Sequence, residues 1–83
     1  MPFLSARSAL IKNGWRPDAL IQRQPVGTAV ELLNMGITEV ERCTQGVQYC
    51  QFHYRKNQEC LGITTIGEEA EDLVIDAWNF SCP

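Results

Sequence analysis

The stretch Val47-Gln-Tyr-Cys-Gln-Phe-His-Tyr-Arg-Lys-Asn-Gln-Glu-Cys-Leu-Gly-Ile-Thr-Thr-Ile66 decides the architecture of this chain. From Val47 to Arg55 the side chains alternate as in a strand. Cys50, Phe52 and Tyr54 fall on one face, and Tyr49, Gln51 and His53 on the other. From Cys60 to Ile66, Leu61 and Ile63 alternate with Gly62 and Thr64 in the same way. Two such runs around a short polar segment predict a β-hairpin. A two-residue turn at Lys56-Asn57 sets Phe52 opposite Leu61, Cys50 opposite Ile63 and His53 beside Cys60. A three-residue turn would reverse every side chain and set apolar against polar. The even connection is therefore expected.

Strands are expected on both sides of the hairpin. Thr38 to Cys43 reads as a shorter strand, joined through Thr44-Gln45-Gly46, and a last strand runs from about Leu73 to Phe80 after the turn Gly67-Glu68-Glu69. Its Leu73-Val74-Ile75 run calls for burial on both faces or a change of parity. Upstream the period is helical. Phe3 to Asn13 places Leu4, Leu10 and Ile11 on one stripe and Arg7, Ser8 and Lys12 on the other side, with Ser5 as N-cap. Asn13-Gly14-Trp15 is a glycine stop that packs Trp15 against Leu10, and Pro17 prevents the helix resuming. A second helix opens on the capping box Thr28-Ala-Val-Glu31, buries Val30, Leu32 and Leu33, and stops at Gly36-Ile37. Ala19-Leu20-Ile21, bounded by Pro25, reads as loop. The expected fold is α+β: two N-terminal helices packed on one face of a four-stranded antiparallel meander sheet, with residues 1–83 as a single domain.

Composition narrows the class. At 83 residues the apolar core is thin, while 45% hydrophobic and 20% charged residues are those of an ordinary globular chain. A net charge of −3 does not suit a typical nucleic-acid binder. No stretch reaches the roughly 18 apolar residues of a membrane span. Four of the seven basic residues lie in residues 1–30 against one acid, Asp18. Glu68, Glu69, Glu71, Asp72 and Asp76 crowd into nine residues and read as a solvated turn.

The cysteines, Cys43, Cys50, Cys60 and Cys82, all lie in the strand half. None is spaced Cys-x-x-Cys, which disfavours redox motifs and zinc knuckles. Cys43 and Cys50 flank a turn of one expected hairpin, and a bulge near Gly46 would correct their parity. Elimination then pairs Cys60 with Cys82, provided the tail after Phe80 folds back across the sheet; this is the favoured one of three connectivities. Two bridges point to an oxidising compartment. Met1-Pro2-Phe3 opens no secretory leader, so a mature secreted form with an added Met1 is expected over a cytosolic protein with reduced thiols.

Catalytic signals are sparse. A Cys60–His53 dyad follows from the hairpin register, but no orienting group or oxyanion hole accompanies it. Four cysteines with His53 could bind zinc only at unusual separations. Ser5 and Ser8 lie in no nucleophile elbow, and no phosphate loop is present. Trp15 and Trp78 are expected as core anchors, and Asn79-Phe80-Ser81 fits a glycosylation tripeptide. The outward row Tyr49, Gln51, His53 and Arg55 is the best candidate for a protein-binding face, the alternative being a plain solvated sheet face.

Arg7-Ser-Ala-Leu-Ile11, Asn13-Gly-Trp-Arg-Pro17, Glu41-Arg-Cys-Thr-Gln-Gly46 through Cys50-Gln-Phe52, then Leu61, Thr65, Gly67-Glu68 and Trp78 together resemble a group of small uncharacterised bacterial envelope proteins. Its members carry a helix ending in Gly-Trp-x-Pro, a Cys-rich hairpin and a closing tryptophan strand. The resemblance implies a periplasmic or secreted location and no known activity. A looser similarity, in fold alone, is to β-lactamase-inhibitor-like envelope domains. The expected function is non-enzymatic: a disulfide-stabilised domain, without cofactor or metal, that binds another protein. A small thiol enzyme using Cys60 and His53, or a cytosolic metal-binding domain, stands as the alternative.

Overall fold

A computed structural model describes residues 1–18, 27–44 and 49–82. The described elements are α1 (Phe3–Lys12), β1 (Arg16–Pro17), α2 (Thr28–Asn34), β2 (Val40–Cys43), β3 (Tyr49–Lys56), β4 (Glu59–Ile66), a 3-10 turn (Ala70–Asp72) and β5 (Val74–Asn79). The expected loop at Ala19-Leu20-Ile21 and the expected bulge position at Gly46 lie outside the described residues.

The fold is α+β, with an antiparallel sheet of five strands where four were expected. The added strand is β1. Pro17 holds Arg16 extended, and the pair adds to β3 with Arg16 opposite Arg55 and Pro17 opposite Tyr54. Its neighbour on the same edge of β3 is β2, so the simple meander is broken. The two meet at His53, whose N–H donates to the Glu39 carbonyl at 3.3 Å and whose carbonyl accepts from the Asp18 N–H at 2.9 Å.

The central hairpin has the even parity required by its pattern, with its turn one residue later than expected. Lys56 pairs with Glu59, which leaves Asn57-Gln58 as the two-residue connection. Asn57 takes φ 55°, a left-handed conformation that asparagine tolerates better than lysine. Phe52 is thus opposite Ile63, Cys50 opposite Thr65 and His53 opposite Gly62. Both registers keep apolar facing apolar, so alternation could not choose between them.

Bulges adjust the flanking strands. In β2 the register shifts between Val40 and Arg42, placing the bulge at Glu41. That step lets buried Val40 and the half-buried Cys43 face the same core at an odd spacing. In β5 the register shifts between the Thr64–Ala77 and Thr65–Ile75 pairs, beyond the Leu73-Val74-Ile75 run, which keeps a simple alternation with Val74 exposed.

Phe3, Ala29, Leu32, Ile37, Val40, Cys50, Phe52, Tyr54, Leu61, Ile63, Ala70 and Leu73 form one buried cluster. Phe3 stacks on Phe52 with ring centroids 4.1 Å apart. The helix stops are as expected: Trp15 N–H bonds to Leu10 O and Ile37 N–H to Leu32 O, each at 3.0 Å, across Gly14 at φ 93° and Gly36 at φ 83°. The helix starts are not. α1 begins after Pro2, because Pro2 bridges Val74 and Phe3 N–H bonds to Leu73 O at 2.8 Å. α2 begins after Gly27 without a side-chain cap, and Thr28 instead donates its hydroxyl to Glu68 O at 3.2 Å. Ile11 and Val30, expected in the core, are exposed.

Candidate functional site

The apolar side of the sheet is only partly covered. Along β5, Trp78 lies opposite Ile63 and Ile75 opposite Thr65, so both project to the face that carries Phe52 and Cys50. Trp78 is nevertheless 66% exposed and Phe80 67% exposed. Burial of Trp78 as a core anchor is therefore corrected, while Trp15 is half-buried against the core. Between these rings and α1 lies a groove of about 390 Å³. Ala6, Ala9 and Leu10 of α1 form one wall, Leu61 and Ile63 the floor, and Ile75, Trp78 and Phe80 the other wall. The small Ala6 and Ala9 leave the space; longer side chains there would fill it. The volume and apolar lining are those of a cleft that accepts apolar groups.

The α1 wall is held by a buried polar network. The fully buried Glu39 carboxylate accepts from Arg7 Nε at 2.5 Å, Arg7 Nη2 at 3.2 Å and the Tyr54 hydroxyl at 2.6 Å. A carboxylate in such a place is tolerable only with partners of this kind. The hydrogen bond to Glu39 raises the Arg7 pKa against the opposing effect of burial. Burial, then the bond to Glu39, pushes the Tyr54 phenol far above its ordinary value. Amphipathic periodicity places Arg7 on the side away from the apolar stripe, and no local signal marks its partner 32 residues away.

On the opposite face stand Tyr49, Gln51, His53 and Arg55. Three of them have cross-strand partners: Gln51 Oε1 accepts from Arg42 Nε at 3.1 Å, His53 Nε2 lies 2.8 Å from Glu41 Oε2, and Arg55 Nη2 lies 3.5 Å from Asp18 Oδ2. Tyr49 and Arg55 are exposed, and Gln51 and His53 half-buried. His53 with Glu41, Thr64, Asn79 and Ser81 lines a polar cleft of about 280 Å³. Gly62 opposite His53 keeps this arrangement compact: a Cβ there would stand 3.1 Å from Asn79 Oδ1 and 3.5 Å from His53 Cε1.

All four cysteines are bridged, Cys43 to Cys50 and Cys60 to Cys82. Cys60 is buried as the tail carries Cys82 back over β4. The expected juxtaposition of His53 and Cys60 is corrected, since Arg55 takes the place opposite Cys60. Cys60 in this form has no free thiol to act as a nucleophile. Among the described residues no three His, Cys, Asp or Glu side chains are grouped to hold a metal ion, and no helix is long and apolar enough to cross a membrane.

No protein-family model, curated protein or solved structure matches this chain.

Proposed function

We infer that this disulfide-stabilised chain is a non-catalytic, periplasmic or secreted domain that binds another protein through the groove between α1 and β5. The exposure of Trp78 and Phe80 beside an apolar groove is the observation that carries this reading. Two aromatic rings in water forgo about 1.5–3 kcal/mol each of burial, and such rings often anchor interfaces. Two disulfides suit the proposed location, since such bonds persist outside the reducing cytosol. The outer row is a second reading, favoured by the exposure of Tyr49 and Arg55; Gln51, His53 and Arg55 already have partners.

A photo-crosslinking amino acid placed at Trp78 or at Tyr49, in cells of the organism that makes the protein, tests the two faces together. A single protein crosslinked from position 78, and lost in a Phe80→Ala background, is the expected result. Crosslinking from position 49 alone would transfer the site to the outer face. Adducts from neither position would overturn the binding function.

A further inference from the structure

We propose that the partner enters as a basic, extended segment that adds a strand to the outer edge of β5 and sets apolar side chains into the adjoining groove. This rests on the protein-binding reading above and names the partner's chemistry. β5 is the last strand of the sheet order. Its first residues are covered by the chain's own start: Pro2 bridges Val74, and Ile75 N–H donates to Met1 O at 2.9 Å. From Asp76 to Asn79 no strand pairs with that edge among the described residues. The open portion of edge is therefore the portion that carries Trp78. A strand added there gains backbone hydrogen bonds from β5, while every second side chain turns toward the groove.

Charge selects the occupant. Asp76 lies within β5, and Glu69, Glu71 and Asp72 stand at its leading end; all four are exposed and none forms an ion pair among the described residues. Lysine or arginine on an incoming strand would meet Asp76, while the other three carboxylates, beyond the covered start of β5, would speed association more than orient it. The same charges disfavour a second copy of the chain. Symmetric β5-to-β5 pairing would join two molecules each of net charge −3. Apolar edges left open in this way invite indiscriminate pairing, and a carboxylate on the edge narrows the choice.

The test uses the full disulfide-bonded chain and a capped synthetic peptide of alternating lysine and valine. Two control peptides accompany it: one with glutamate for every lysine, and one N-methylated at alternate backbone amides. Calorimetry gives the affinities, and amide chemical shifts locate the contact. The lysine peptide should bind at least about tenfold more tightly than the glutamate peptide, a difference of 1.4 kcal/mol. N-methylation should abolish binding, Asp76→Lys should weaken it by a similar factor, and shifts should centre on residues 76–80. Equal affinity for the glutamate peptide overturns the charge selection, and undiminished binding of the N-methylated peptide overturns strand addition. Self-association of the free chain through β5 overturns the choice of partner. Asp76→Asn, with a smaller loss, covers the case in which Asp76→Lys does not fold. If position 78 crosslinks a partner yet no lysine peptide binds, only this inference falls; if crosslinking fails as well, the groove itself is not the site.

Discussion

Glu39 joins parts of the chain that lie far apart in sequence: Arg7 of α1 and Tyr54 of β3 both donate to its carboxylate. Removing Arg7 strands a buried negative charge with one donor fewer. Arg7→Ala should therefore cost about 3 kcal/mol or more, read by urea denaturation. Because Phe3 is wholly buried against Phe52, Phe3→Ala should cost about 3–5 kcal/mol in the same assay. Tyr54 supplies a pH signature. Its folded pKa lies above the unfolded value of about 10, so its contribution is intact below that pH. Above it the unfolded phenol ionises while the folded one stays protonated, and stability falls. Between pH 9 and 11 the wild type should lose about 1.4 kcal/mol more than Tyr54→Phe, which lacks the phenol. Equal losses in the two proteins would remove Tyr54 from the alkaline transition.

At the scale of elements, the helices are ended locally and positioned remotely. Gly14 and Gly36 close α1 and α2 by a backbone motif that the sequence announces. The starts instead follow the sheet, with Pro2 tied to Val74 and Thr28 to Glu68 O. The hairpin is sensitive at Gly62, where β4 passes beneath His53 and Asn79. Gly62→Ala should destabilise by about 1–3 kcal/mol and disturb the His53–Glu41 contact, visible in the imidazole proton resonances. Each disulfide is expected to contribute about 2–4 kcal/mol by restricting the unfolded chain. Cys60→Ser with Cys82→Ser should thus lower the melting temperature and free the tail that bears Phe80 and lines the polar cleft.

The whole molecule divides into an outer side crossed by the bridged C-terminal tail and an incompletely covered inner side that holds the Cys43–Cys50 bridge. Cys82 is drawn back over the outer face, where Ser81 meets the polar cleft around His53. On the inner side α1 and β5 leave the groove open between them. Oxidation of all four cysteines in the purified native protein is a global prediction: its intact mass should rise by about 4 Da on reduction, two hydrogens per bridge. A mass unchanged by reduction would remove the oxidising compartment from the reading, and with it the proposed location.

Sequence alone determined those features whose physics is local: alternation in the hairpin, the even parity of its turn and both glycine stops. It also led to the disulfide pairing, because strand order left few ways to bring four cysteines together. The fifth strand was hidden, since two residues carry no period. The hairpin register was ambiguous by two residues, since such a slip preserves every apolar contact. Trp78 read as core because alternation reports which face a side chain shares, and only the placement of α1 decides whether that face is covered. Arg7 and Glu39 likewise look solvated on their own segments. Their pairing emerges only when α1 docks, because the energy that buries a charge depends on partners brought together by tertiary structure.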